Sequence, residues 1–225
     1  MPALLALGAL SAVAKEPEVR TELVTLALEQ PVEGLYARSA GGNLRLDANL
    51  TGLSQPVAYR GPQRIVFHRT AAALTAPPPG PTPACVVLLP AHAERVLLAC
   101  FQGADPNLRI VAYDLSAKTL HDGDYHFFNF SHSALSIILG TQKFTLNPTA
   151  DAVLSDALWR KEVLDVEMRA ATVVAGKTTQ IYASVWGHRP GARNLVFLFD
   201  GQHRDKPIAI RRFKDIAPVR APATR

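Results

Sequence analysis

Apolar and polar residues alternate along most of this chain with a period of two, the pattern of strands that bury one face and wet the other. Residues 164–170 show it most cleanly: Leu164, Val166, Met168 and Ala170 are apolar, and Asp165, Glu167 and Arg169 between them are charged. Turn residues interrupt the pattern about every eight to twelve positions, the spacing of sandwiches and barrels. Strands are predicted over 23–28, 35–38, 44–48, 57–60, 65–68, 85–89, 96–101 and 109–113. In the second half they are predicted over 125–130, 135–139, 144–146, 164–170, 178–186, 195–199 and 208–213. One short helix is expected over 150–161. The fold class is all-β.

The pattern also recurs at longer range. Gly61, Gln63 and Arg64 precede Ile65, Val66 and Phe67, and Gly140, Gln142 and Lys143 precede Phe144, Thr145 and Leu146 in the same order. Residues 95–101 are echoed over 193–199, and 109–113 over 208–212. Tandem β-sandwich units account for these echoes, with one continuous sandwich as the other reading. The expected division is a signal segment over 1–14, a first unit over 15–116, a second over 117–216 and a basic tail over 217–225. Spacing between the echoes widens along the chain, so the second unit is expected to carry an insertion around 147–176. The proline run over 76–83 falls inside the first unit and is read as a stiff inter-strand crossover loop rather than a linker.

Several predicted strands are apolar on both faces: 86–89, 96–98, Phe127 with Phe128, and 195–199. A two-layer sandwich buries one face of each sheet. The other faces need a cover: the second unit, a neighbouring subunit in a homo-oligomer, or an envelope partner. The second unit is preferred because it requires only this chain, and His126, Phe128 and Phe130 are the contact candidates.

Cys85 and Cys100 flank a stretch readable as a hairpin with its loop at 91–94. That register pairs Pro90 with Arg95, Leu88 with Leu97 and Cys85 with Cys100, making a cross-strand disulfide candidate in an oxidising compartment. Two buried thiols are the alternative. No ligand cluster surrounds them, so a metal or catalytic role is not indicated.

Residues 1–14 carry no charge and end in Ala12, Val13 and Ala14, the form of a signal-peptidase site, so export to the periplasm or outside the cell is expected. The apolar run is shorter than the ~20 residues a spanning helix needs, and no transmembrane segment is expected. Net charge is a mild +5, and charged residues are 19% of the chain, below the usual ~25%. Cations gather only at Arg211, Arg212, Lys214, Arg220 and Arg225. Phe213 is the single aromatic among them, which provides no stacking platform, and nucleic acid is not an expected partner.

Polar chemistry concentrates over 121–132, with His121, His126, His132, Asp122 and Asp124. Along an extended strand His126 and His132 stand ~20 Å apart, too far to share an ion. His121 with Asp122 and Asp124 is the remaining metal candidate, against a turn in which Gly123 supplies the unusual dihedrals. Asn129 shares a face with Tyr125 and Phe127 and is read as a core bracket bonded to backbone; Asn49 and Asn129 also head glycosylation sequons. His92 and His188 sit at matching places in the repeat and are read as exposed turn residues. No nucleophile elbow, zinc-protease helix or phosphate-binding glycine loop occurs, and no cofactor is expected.

The run Gly123-Asp124-Tyr125-x-Phe127-x-Asn129-x-Ser131, followed by a short β pair and Gly140-Thr141-Gln142-Lys143-Phe144-Thr145-Leu146-Asn147-Pro148, resembles the Ig-like modules of uncharacterised exported bacterial proteins. Those modules commonly carry Pro-Gly where this chain has Pro148 and Thr149. The resemblance covers residues 123–148, implies an Ig-like β-sandwich in the cell envelope, and transfers no catalytic residue. The leading functional expectation is a non-enzymatic interaction or assembly module with an envelope protein or glycan as partner. A carbohydrate-binding module is the runner-up, with Tyr36, Tyr59, Trp159, Tyr182 and Trp186 as stacking aromatics; an envelope metal-binding protein is the third.

Overall fold

The computed structural model describes residues 16–102, 108–155, 159–174, 176–203 and 206–216, so the expected signal segment and basic tail lie outside it. Among the described residues the fold is all-β. The first eight strands are β1 (Glu18–Ala27), β2 (Val32–Ser39), β3 (Gly42–Ala48), β4 (Val57–Pro62), β5 (Arg64–Phe67), β6 (Cys85–Leu88), β7 (Arg95–Phe101) and β8 (Arg109–Asp114). The next eight are β9 (Tyr125–Asn129), β10 (Leu135–Leu139), β11 (Gln142–Leu146), β12 (Asp151–Leu154), β13 (Leu164–Val174), β14 (Lys177–His188), β15 (Arg193–His203) and β16 (Lys206–Asp215). A 3-10 turn over Ala71–Leu74 is the one helical element among them.

Each sheet draws its strands from one half of the chain. The first half forms β4-β1-β7-β8 and the pairs β2-β3 and β5-β6, the pairs joined by a bridge between Tyr36 and His68. The second half forms β12-β9-β15-β16 and β11-β10-β13-β14. Adding eight to each label of the first order gives the second, down to the parallel pairings β1 with β7 and β9 with β15. Joined through the Tyr36–His68 bridge, β3-β2-β5-β6 likewise becomes β11-β10-β13-β14. The molecule is thus two sandwich-like units of one strand order.

The period-two pattern explains how the layers stack. On β7, Val96, Leu98 and Cys100 point to one side and join Leu35, Ala37, Leu46, Ile65 and Phe67 in the first core. Leu97, Ala99 and Phe101 point to the other and meet Phe128, Leu195 and Phe197 from the second unit. On the far side of β9, Tyr125 and Phe127 pack with Ile137, Leu139, Val166 and Met168. Three apolar layers therefore separate four sheet layers, and the two inner sheets are apolar on both faces because both are covered. All seven residues of β7 and all five of β9 are buried. A fully buried Leu or Phe is worth roughly 1.5–3 kcal/mol, so this middle layer is a strong bond between the units.

Several expectations need correction. The helix expected over 150–161 is replaced at its start by strand β12, because Ala152 and Leu154 pack against the second core from the edge of β9. The Gly61 and Gly140 echoes occupy different elements. Gly61 lies within β4, whereas Gly140 turns β10 into β11, whose counterpart by strand order is the β2–β3 turn. Tight turns between strands draw on the same few residue types, and that composition produced the match. The echoes of 95–101 and 109–113 do fall on equivalent strands, β7 with β15 and β8 with β16. The proline run sits in the loop joining β5 to β6, which pair with each other, so it closes a hairpin rather than crossing between sheets.

Candidate interaction surface

The turn entering β9 is built by Asp124 and Gly123. Asp124 is fully buried; one oxygen takes the Arg160 Nε–H at 2.9 Å, and the other takes the His121 backbone N–H at 2.9 Å and lies 3.2 Å from His121 Nδ1. Gly123 has φ +85°, and a Cβ there would meet the Arg160 Cα at 2.8 Å, so only glycine lets the chain pass. An arginine already neutralises the carboxylate on which the metal candidate depended. Among the described residues no three His, Cys, Asp or Glu side chains gather into a metal site.

At the other end of β9, Asn129 is a complete bracket. Its Nδ2 donates to the carbonyls of Ser133 at 2.9 Å and Leu146 at 3.0 Å, and its Oδ1 accepts from Ser131 N–H at 3.0 Å and Ser131 Oγ–H at 2.7 Å. That side chain is 1% exposed, so this sequon is closed to a glycan, whereas Asn49 is exposed.

Phe128 and Phe130 lie in the layer between the units, with Phe128 stacked on Phe197 at 4.7 Å and edge-on to Tyr113 of the first unit at 4.5 Å. His126 is buried beside them, its Nε2 2.6 Å from Asp151 Oδ2. Tyr113, whose ring lies 6.3 Å from His126, has its hydroxyl pushed up to about 12 by burial and by Asp151. One end of the same contact is closed by a buried triad that the apolar pattern did not reveal. Asp215 accepts a hydrogen bond from Arg95 of β7 on one oxygen at 2.8 Å, and its other oxygen is ion-paired with Arg193 of β15 at 2.5 Å. Arg95 and Arg193 begin equivalent strands, so a matched pair of cations from the two units shares one carboxylate. Arg193 also donates to the carbonyl of Leu115, between the units, at 2.7 Å.

Trp186 is a core residue, 7% exposed, stacked near Tyr125 and Phe127. Trp159 and Tyr59 are also buried, which leaves Tyr36 and Tyr182 as half-buried aromatics, and Tyr182 already accepts the Trp186 Nε1–H at 3.1 Å. A flat aromatic platform for sugar stacking is not formed by these five. The repeat places His92 and His188 at matching connections, but only His92 is exposed. His188 is 1% exposed, sits 3.1 Å from the Tyr125 hydroxyl, and burial pushes its imidazole below the ordinary range.

Cys85 and Cys100 do not face each other across a hairpin. Cys85 pairs with Phe67 on β5, Cys100 pairs with Ala27 on β1 and Ile110 on β8, and both are free thiols. The 91–94 loop links two different sheets, because β6 completes the outer layer and β7 the inner one. Burial pushes the Cys85 thiol up to about 11 and, with Cys85 nearby, the Cys100 thiol up to about 12.

The sheet edges differ in how they are guarded. Edges resist added strands when they are short or carry charge or proline. Arg60 and Pro62 guard β4, Arg45 and Asp47 guard β3, Arg109 and Asp114 guard β8, Lys143 guards β11, and β16 carries Lys, Arg and Pro. Strands β6 and β12 are four residues long. The exception is β14. It is twelve residues long, ends its sheet, and from Thr178 to His188 contains no Lys, Arg, Asp, Glu or Pro. Its partner β13 pairs with β10 only over Met168–Ala171, so beyond Ala171 the hairpin runs on as two strands. Val173 and Val185 on this hairpin are 67% and 64% exposed. The signal was present in the sequence as a long strand pattern without charge, but which strands are edges is a property of the topology. No protein-family model matches this chain, and no curated protein matches it.

Proposed function

We propose that this chain is an exported, non-enzymatic β-sandwich module, akin to Ig-like modules, that binds an envelope partner by accepting a strand on β14. The observation that carries this reading is the unguarded edge of β14 from Thr178 to His188. A strand edge offers a row of backbone donors and acceptors that an extended segment can satisfy, with side-chain pockets adding selectivity. Exposed Val173 and Val185 supply apolar contacts beside that row, and the lack of charge from Thr178 to His188 removes the usual barrier to strand addition. The two-unit stack suits the role, because the presenting sheet packs through its own core on the inner sheet of its unit, and the middle layer fixes that inner sheet against the first unit. The signal-like first fourteen residues supply the compartment.

The test is a photo-crosslinking residue at Gln180 on β14, with Lys143 on β11 at the opposite edge as control, in the cells that make the protein. One discrete adduct in the envelope fraction from position 180, absent from 143 and lost on Val185→Lys, supports the reading. Equal adducts from both edges, or none from any β14 position, contradicts it. Export is checked separately by the mass of the mature protein, which should lack residues 1–14.

A further inference from the structure

A second surface lies on the other unit, on the outward side of β2 and β5, under the loop that contains the 3-10 turn and the proline run. There the chain encloses a cleft of about 340 Å³, within the lower range of small-ligand sites. Arg38, Arg64 and His68 line it together with Val66, Leu74 and Pro81, and no acidic residue contributes. The Arg38 guanidinium donates to the Leu74 carbonyl, which ties the loop over the sheet, and neither arginine has a carboxylate partner among the described residues. His68 Nδ1 is buried and lacks a hydrogen-bond partner among them. Three surface arginines outside the cleft are ion-paired, Arg45 with Asp47, Arg60 with Glu18 and Arg169 with Glu167.

Beside the cleft an apolar strip continues along the same hairpin. Val66 stands opposite Val86 and Arg64 opposite Leu88, and the three apolar side chains are 37%, 42% and 68% exposed. A cation-lined pocket opening onto an exposed apolar strip is complementary to a ligand with one anionic end and one apolar end. We infer that this cleft binds a carboxylate carrying an apolar chain, the anion seated at Arg38 and Arg64 and the chain laid along Val66, Val86 and Leu88. A carboxylate matches the planar fork of a guanidinium through two parallel hydrogen bonds. The same end group is offered by a free acid and by the terminus of an apolar peptide.

Calorimetric titration of the full chain with hexanoate, hexanol, inorganic phosphate and a peptide ending in leucine tests the inference. Hexanoate should bind at least about tenfold tighter than hexanol and tighter than phosphate, as a charge-assisted contact with apolar support requires. Arg64→Gln should weaken hexanoate about tenfold; its side chain is exposed and unpaired, so the variant keeps the native circular dichroism. Arg45→Gln, at an arginine outside the cleft, should leave binding unchanged. A peptide with a free terminus that outbinds hexanoate, and fails when amidated, identifies the source as a chain end; the reverse ranking identifies a free acid. Hexanol or phosphate equal to hexanoate, full affinity in Arg64→Gln, or no binding by either carboxylate overturns it.

Discussion

Thr149 has φ +63°, a left-handed conformation that a β-branched residue rarely adopts, and its N–H closes the turn onto the Asn129 carbonyl at 2.9 Å. The strain is about 1–2 kcal/mol and glycine would avoid it, at a cost of about 0.5–1 kcal/mol in unfolded-chain entropy. Thr149→Gly should therefore raise Tm by a few degrees in a thermal melt; an unchanged or lower Tm would contradict the assigned turn. The cysteines make a second prediction at this scale. With the Cys85 thiol raised from 9 to about 11, its thiolate fraction near pH 8 falls about a hundredfold. Iodoacetamide should modify the native protein very slowly, and both thiols should react at once after denaturation without reductant. Fast native labelling, or a mass gain of two protons on reduction, would show otherwise. Single side chains were partly readable in advance: the amide of Asn129 was legible because it shares a face with Tyr125 and Phe127. The buried state of His188 was not, since nothing local distinguishes it from exposed His92.

The corner between β9 and β10 shows how one side chain sets an element. Asn129 ties the end of β9 to Ser131, Ser133 and the end of β11, so Asn129→Ala takes this partner from two buried backbone groups, the Leu146 carbonyl and the Ser131 N–H. At roughly 1–3 kcal/mol per buried group, the variant should lose about 2–6 kcal/mol in urea denaturation. A loss below about 1 kcal/mol would mean that water replaces the bracket. Strand positions were the most legible feature of the sequence, because period-two alternation reports the burial of one face directly. β12 was missed because its four residues, Asp151–Leu154, are too few to show alternation and follow a turn that resembles a helix start. Pairing was far less legible. The Cys85–Cys100 hairpin and the Gly61 echo failed for one reason: a strand's pattern states which face is buried but not which neighbour it meets.

At the scale of the molecule, two units of one strand order are held face to face by the layer of Val24, Leu26, Leu97, Phe128, Leu195 and Phe197. The doubly apolar stretches on β7, β9 and β15 gave notice of that contact in the sequence, but the fourth, 86–89, lies on the outer strand β6 and leaves Val86 and Leu88 exposed. Asp215 between Arg95 and Arg193 could not be read from the sequence, since the three lie far apart in the chain. Replacing Asp215 by Asn strands two buried guanidinium groups and should cost about 3–5 kcal/mol. Glu167→Gln, at the exposed Arg169 pair, should cost less than about 1 kcal/mol. Similar losses from both in chemical denaturation would show that the triad is not sealed from water. In this fold the inner sheets seal each other while the β14 edge has no strand beside it. Hydrogen–deuterium exchange resolved by peptide reads both features in one measurement. Peptides covering β7, β9 and residues 194–198 of β15 should exchange slowest and together, with residues 178–184 of β14 exchanging much faster. Inner strands of one unit exchanging independently of the other, or β14 protected as strongly as β7, would contradict it.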